Sequence, residues 1–279
     1  LVFFSNVRET RKIMSADLMT QETMIRLGCF AAIFCLAAIA EALAPRRALS
    51  VSKARRWFAN LAMQAIDAVI PRLVFPLLPM GLAIFMADRG WGLLNVFHIA
   101  PGPAMVIGVL TLDLAIYLQH VLFHLTPLLW RLHKVHHTDR DIDVTTGLRF
   151  HPVEIVLSLI IKLAVVAAIG PPAAAVLIFE VLLNGASMFN HGNLRIPLSW
   201  DRIIRTVLVT PDMHRVHHSV IVRETNSNYG FSVSWWDYLF GTYRDQPEEG
   251  HERMKIGLKG YSDDRSSRLS SLLVMPFIK

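Results

Sequence analysis

Five stretches of this chain are apolar for long enough to need lipid rather than water around them. A bilayer-spanning helix takes about 20 mostly apolar residues. Residues 24–44 meet that requirement and stop at Pro45-Arg46-Arg47. Residues 66–87 meet it less cleanly, because Asp67, Arg72 and three prolines interrupt them. A third run extends over 103–130, and runs 153–169 and 173–190 flank Gly170-Pro171-Pro172, the turn of a helical hairpin. Composition agrees: of 279 residues, 53% are AVILMFWYC and 18% are DEKR, where soluble domains average about a quarter charged. The expected fold class is an all-α integral membrane protein with about four to five transmembrane or re-entrant helices.

Residues 193–279 are polar and mixed, which predicts a membrane-apposed cap of short helices and turns. The expected divisions are an N-terminal extension at 1–22, disordered, a membrane domain at 23–245, and a mobile C-terminal tail at 246–279. The chain opens on Leu1, with Met14, Met19 and Met24 as later candidate starts. The stretch before Arg26 is too mixed for a signal peptide.

The net charge of +6 does not imply nucleic acid. Arg46, Arg47, Lys53, Arg55 and Arg56 sit at the end of an apolar run and form no stripe with aromatics. That placement suits a cytoplasmic face against anionic lipid. Loops 45–60 and 131–152 are then cytoplasmic, and the hairpin 153–190 dips into the bilayer and returns. The ends of segments three and five, and residues 193–279, fall on one face; Arg8, Arg11 and Lys12 run against this orientation. Cys29 and Cys35 lie inside one apolar run and read as packing residues without a disulfide.

The polar residue that dominates this apolar chain is histidine. There are 12, and nine are clustered. His120 and His124 are spaced i, i+4 and share a helix face. His133, His136 and His137 form an HxxHH unit, and His214, His217 and His218 form another. On a helix, positions i+3 and i+4 diverge by about a hundred degrees, so each unit can serve two neighbouring metals. His191 lies between the units. Nine imidazoles near a bilayer are costly unless paired, wet or metal-bound. Imidazole suits iron, zinc, copper and nickel alike. Nine candidates exceed what a zinc hydrolase uses, and no HExxH motif supplies a glutamate base. Two ions sharing these rings is the simplest count.

In this arrangement the chain resembles the fatty acid hydroxylase superfamily, in its bacterial sterol desaturase branch, over about residues 105–245. The histidine set carries the resemblance. Arg149-Phe150-His151-Pro152-Val153-Glu154, Thr210-Pro211-Asp212-Met213 before His214, Asn228-Tyr229-Gly230 and Trp236-Asp237-Tyr238-Leu239-Phe240-Gly241-Thr242-Tyr243 sharpen it. The resemblance implies a four-helix membrane core under a cytosolic cap, with two iron ions between them. It implies metal-ligand roles for His120, His124, His133, His136, His137, His191, His214, His217 and His218. It further implies hydroxylation or desaturation of a lipid C–H bond, using O2 and two electrons. Some hydroxylases carry a second histidine four residues after the one matching His191. This chain has Arg195 there, which leaves water or Asn190 to take that place.

Asp113 and Tyr117 continue the stripe of His120 and His124, and Glu180, Asn184 and Ser187 that of His191. Polar residues at such depth face a bundle interior. Asp113, Tyr117, Asp139, Asn190 and Asp212 are the candidates to support the metal ligands. His151 is expected to tether a loop, and Arg149 and Glu154 to pair locally. Trp235, Trp236 and Tyr238 are expected at the headgroup level or packing the cap. The expected partners are a lipid substrate, the bilayer of a bacterial inner membrane, and a separate electron donor such as a ferredoxin, cytochrome or reductase. The competing readings are a zinc-dependent lipid hydrolase or isomerase and a non-enzymatic metal-binding membrane protein.

Overall fold

The computed structural model describes residues 21–261 and 263–278; the expectation for the N-terminal extension lies, over residues 1–20, outside the described residues. Helix α1 (Val2–Leu43), described from Gln21 onward, is followed by α2 (Lys53–Val74), α3 (Pro79–Arg89), α4 (Leu93–Val96), α5 (Pro101–Leu125), α6 (Pro127–His137), α7 (Pro152–Ile169) and α8 (Ala173–Asn190). Short helices α9 (Leu198–Ile204) and α10 (Pro211–His217) open the cap, which continues in turns and single-turn helices. Among the described residues there is no strand, only three isolated β-bridges. Five segments are long and apolar enough to cross a membrane: Gln21–Leu43, Lys53–Val96, Pro101–Leu125, Pro152–Ile169 and Ala173–Asn190.

Proline sets the helix starts. Pro79, Pro101, Pro127, Pro152 and Pro211 each open a helix, where the missing N–H costs nothing and φ is already helical. This corrects the third expected segment. Residues 103–130 are not one helix, because Thr126 is extended before Pro127 and a residue before proline is pushed out of the α region. The second segment differs too. Phe75 is extended before Pro76, so α2 and α3 are two helices, and α2 begins at Lys53 inside the expected loop 45–60.

At one end of the bundle, Gly170 closes α7 with φ 64°. A Cβ on Gly92 would fall 2.5 Å from the Gly170 Cα, so the two turns touch backbone to backbone. At the other end lie the loop 44–52, the loop 138–151 and the cap, on one face as expected. Arg46 donates to Asn193 O at 2.9 Å through its backbone N–H, and Ser50 Oγ donates to Asp141. The bundle core between α3, α5, α7 and α8 holds Met80, Leu112, Ile116, Val166, Val176 and Phe179. Helix α1 packs on α8, with Ile33 against Gly185.

The loop 138–151 is buried and held by a cation from α2. Arg56 Nε and Nη2 bond the Asp139 carboxylate at 2.6 and 2.9 Å, and Nη1 bonds Asp143 at 2.7 Å. Burial alone would push the Asp139 carboxyl up, but Arg56 and then Arg149 outweigh it and hold it down at about 2. The C-terminal segment is not a free tail. Leu272 and Met275 pack with Ala59, Met63 and Val135, and Arg131 Nε bonds Pro276 O at 2.8 Å. Its apolar side chains cover the seam between α2 and α6 that the sequence pattern left unassigned.

Replacing Arg56 with Met leaves two buried carboxylates without their cation. The expected cost is about 3–5 kcal/mol, read as a lower melting temperature of detergent-solubilised protein, and an unchanged transition would contradict this account of the loop.

Candidate metal centre

The face beneath the cap collects imidazoles from four elements. Helix α5 brings His120 and His124, α6 brings His133, His136 and His137, and α10 with its C-cap brings His214, His217 and His218. His191 caps α8. The nine separate into two sets, His120, His124, His133, His137 and His217, and His136, His191, His214 and His218, with the nitrogens of each set within 4.8 Å of one another. The HxxHH units divide between the sets as helix geometry dictates. In the first unit the i, i+4 pair, His133 and His137, enters the five-membered set and His136 crosses to the other. In the second, His214 and His218 enter the four-membered set and His217 crosses back.

Six of the rings are held from behind. His120 Nδ1 donates to Tyr229 O at 2.7 Å, His217 Nδ1 to Ser227 O at 2.7 Å, and His191 Nδ1 to Ser187 O at 2.7 Å. His136 Nδ1 donates to Arg149 O at 3.2 Å, His133 Nδ1 to Glu154 Oε1 at 2.6 Å, and His124 Nδ1 to Asn226 Oδ1 at 3.2 Å. Carbonyl oxygens and an ionised carboxylate accept only, so against them Nδ1 carries the proton and Nε2 presents a lone pair. His120 and His133 then bring two lone pairs to 3.1 Å, and His136 and His191 bring two to 3.0 Å. Facing lone pairs repel unless a cation lies among them. His124 Nε2, His217 Nε2 and both ring nitrogens of His137 and His218 have no protein partner either. Burial first, and neighbouring imidazoles second, hold His136, His137, His214, His217 and His218 well below the ordinary histidine value. The donor set is therefore neutral nitrogen, and it fits a pair of imidazole-loving transition-metal ions.

A cavity of ≈ 470 Å³ runs from the rings of His120 and His133 into the helix bundle. Phe123, Phe150 and Phe231 line it beside the rings.

The fatty acid hydroxylase family model matches residues 105–242, the stretch that carries all nine rings. The chain belongs to the fatty acid hydroxylase superfamily. It is 28% identical over 159 residues to an ornithine lipid hydroxylase of Rhizobium tropici, covering 56% of this chain and 46% of that protein. It is 29% identical over 145 residues to an alkylglycerol monooxygenase of Xenopus tropicalis, covering 50% and 30%. A Delta(7)-sterol-C5(6)-desaturase of Nicotiana tabacum is 28% identical over 225 residues, covering 75% and 74%. The match thus spans less than half the length of the first two relatives. No solved structure matches the chain.

The strings around the histidines act on this histidine centre mostly through backbone. Asn228 takes a left-handed φ of 52°, and its side chain bonds Met213 O and Arg244 O at 2.8 Å each. The carbonyls on either side of it are those that hold His217 and His120. Asp237 accepts from the N–H groups of Tyr229 and Gly230 at 2.8 and 2.9 Å, fixing the same loop. Phe150 stacks on His136 at 4.5 Å. His151 accepts from Val153 N and caps α7, as a tether.

Several expectations about supporting side chains land elsewhere. Asp113 accepts from Trp236 Nε1, Tyr117 meets Thr242 Oγ1, and Asn190 donates to Phe231 O, each at 2.8 Å. Asp139 serves Arg56, and Asp212 binds Arg46 and Arg215. None of these five bonds a ring nitrogen of the nine. Glu154 does, and it does not pair with Arg149, whose guanidinium goes to Val135 O and Thr138. Arg195 is exposed and its N–H donates to Ala44 O. Because α8 ends at Asn190, position 195 is not on the helix face of His191, and the set containing His191 is the one with four members.

In the metal-free protein, burial holds the His133 and His191 imidazoles down at about 3, against an ordinary value of 6.5. A folded value below the unfolded one favours the neutral ring, so this stability is complete above about pH 6.5 and is lost as pH falls toward 3. Each such ring contributes about 1.4 kcal/mol per pH unit. The melting temperature of chelator-treated protein is expected to fall steadily from pH 7 to pH 5, and a flat profile would contradict the burial of neutral rings.

Proposed function

We propose that the protein is a membrane-bound non-haem di-iron oxygenase that hydroxylates or desaturates a C–H bond of a lipid, using O2 and two electrons from a separate donor. The observation that carries this reading is the juxtaposition of two buried imidazole sets with a cavity that begins at two of their rings. The relatives named as a lipid hydroxylase, a monooxygenase and a sterol desaturase support an oxidoreductase. His120, His124, His133, His137 and His217 would hold one iron, and His136, His191, His214 and His218 the other. Bound iron would supply O2 activation and the power to break an unactivated C–H bond.

The chain's own residues supply the rest. Glu154 and the carbonyls of Ser187, Ser227 and Tyr229 keep a proton on Nδ1 of their partner rings, so Nε2 is always the free donor. Phe123, Phe150 and Phe231 make the cavity mouth apolar and exclude water from it. The walls come from membrane-spanning helices, so a lipid reaches the rings without leaving the bilayer.

The first test is metal content with Mössbauer spectroscopy on protein grown in iron-57 medium. Two irons per chain with a coupled-pair signal, lost in His136→Ala, are the expected result. Protein that still takes zinc and refuses iron after reconstitution would instead favour a lipid hydrolase or isomerase.

The reading also places the centre on the cytoplasmic side of a bacterial inner membrane, on the strength of Arg46, Arg47, Lys53 and Arg55 at the cap end of the bundle. A Lys259→Cys variant, at an exposed cap position, is expected to react with a membrane-impermeant maleimide in inverted vesicles and to stay unlabelled in spheroplasts. The reverse pattern would invert the topology.

A further inference from the structure

The cavity is not lined as a slot for a plain hydrocarbon would be. Far from the rings, Arg26 Nη1 bonds Glu180 at 2.7 Å and Lys162 Nζ bonds it at 3.5 Å. That cluster joins α1, α7 and α8, and its charges answer one another. Nearer the rings the balance fails. Both carboxyl oxygens of Asp67 are buried and have no hydrogen-bond partner, and the same holds for Glu154 Oε2 and Gln119 Oε1. All three residues line the cavity. Among the described residues, every fully buried side-chain atom on this wall that lacks a partner is an oxygen.

Asp67 is the centre of this deficit. Its residue is 7% exposed, it sits inside a membrane-crossing segment, and its charged neighbour is Glu154, a second carboxyl. Pro71, four residues on, withholds the N–H that would ordinarily serve the Asp67 carbonyl. Removing a carboxyl from water without a partner is costly, and in a membrane such a group is retained for function more than for stability. Glu154 already spends Oε1 on His133, so the acceptor wall starts at the metal centre.

The geometry points to Asp67 as a substrate-recognition residue. With Glu154 Oε2 and Gln119 Oε1 it accepts hydrogen bonds from a primary ammonium or hydroxyl group of an amphiphilic lipid, held in the cavity close to the carbon presented at His120 and His133. The inference rests on the reading that a lipid occupies this cavity. It narrows the substrate class to lipids with an N–H or O–H donor beside the reacting carbon, and it excludes a bare alkyl chain at that point.

The test is a binding measurement on metal-loaded, detergent-solubilised full-length protein under nitrogen, where no turnover can occur. Four single-chain probes of equal chain length displace a fluorescent acyl probe: a primary amine, its trimethylammonium form, a primary alcohol and its methyl ether. The wild type is expected to bind the amine and the alcohol at least about tenfold more tightly than their capped forms, the worth of one hydrogen bond to a carboxylate. In Asp67→Leu both ratios are expected to collapse to about one, with binding of the capped probes and metal content unchanged. Asp67→Asn, equal in size, guards against a packing defect: it should keep the melting temperature of the wild type and lose most of the amine preference. Equal binding of free and capped probes by the wild type, or ratios that survive in Asp67→Leu, would overturn the assignment. The ratios need neither O2 nor electrons. If the oxygenase reading fails, iron content and oxygen-dependent product fail with it while the ratios still decide the role of Asp67.

Discussion

Neutral imidazoles that point their lone pairs at one another cannot be neighbours without something positive between them. That requirement orders the cap end of this protein. Nine rings meet there, eight of them buried, and four backbone carbonyls with the side chains of Glu154 and Asn226 hold six of them at Nδ1. The membrane helices answer to the same demand. α5 and α8 deliver their histidines toward their C-terminal ends, α6 is cut off from α5 by Thr126-Pro127, and α10 brings its own from the cap. The Arg56 pairs with Asp139 and Asp143 then fasten the loop whose Arg149 carbonyl orients His136.

A lipid-facing enzyme has to solve two problems with one set of helices. The outer surfaces must be apolar, and Leu36, Leu73, Val106 and Leu182 lie exposed there. The inner surface must remain polar enough to choose a substrate. Here the inner polarity is graded along the cavity. A neutralised cluster of Arg26, Lys162 and Glu180 lies at the far end, and acceptor oxygens without partners lie near the rings.

Much of this was legible in the sequence. Histidine spacing on helices places rings on faces without knowledge of the fold, so the nine candidate residues, the capacity of each HxxHH unit to serve two neighbouring metals, and the Gly170 turn could be read directly. What was hidden shares one cause, distance along the chain. Arg56 looked like a solvated cytoplasmic charge because its acids lie 83 and 87 residues away. The groups that hold the rings are mainly backbone carbonyls, which no side-chain pattern encodes. Tyr229 stands 109 residues from His120. Glu154 was visible as a carboxyl but matched with Arg149, its neighbour in sequence, although a helix start separates their directions. The docked C-terminal segment was missed for the same reason: Leu272 and Met275 have meaning only against Ala59 and Val135.

The crossing of the two HxxHH units has a mechanical consequence. His136 and His137 are joined by a single peptide bond yet serve different sets, and so are His217 and His218. Two covalent rulers, each about 3.8 Å from Cα to Cα, therefore bridge the sets from opposite sides. A shift of α6 or α10 carries both sets along instead of parting them. The spacing between the two positions is thus tied to the chain itself as well as to the packing of α5 and α8, which bring His120, His124 and His191.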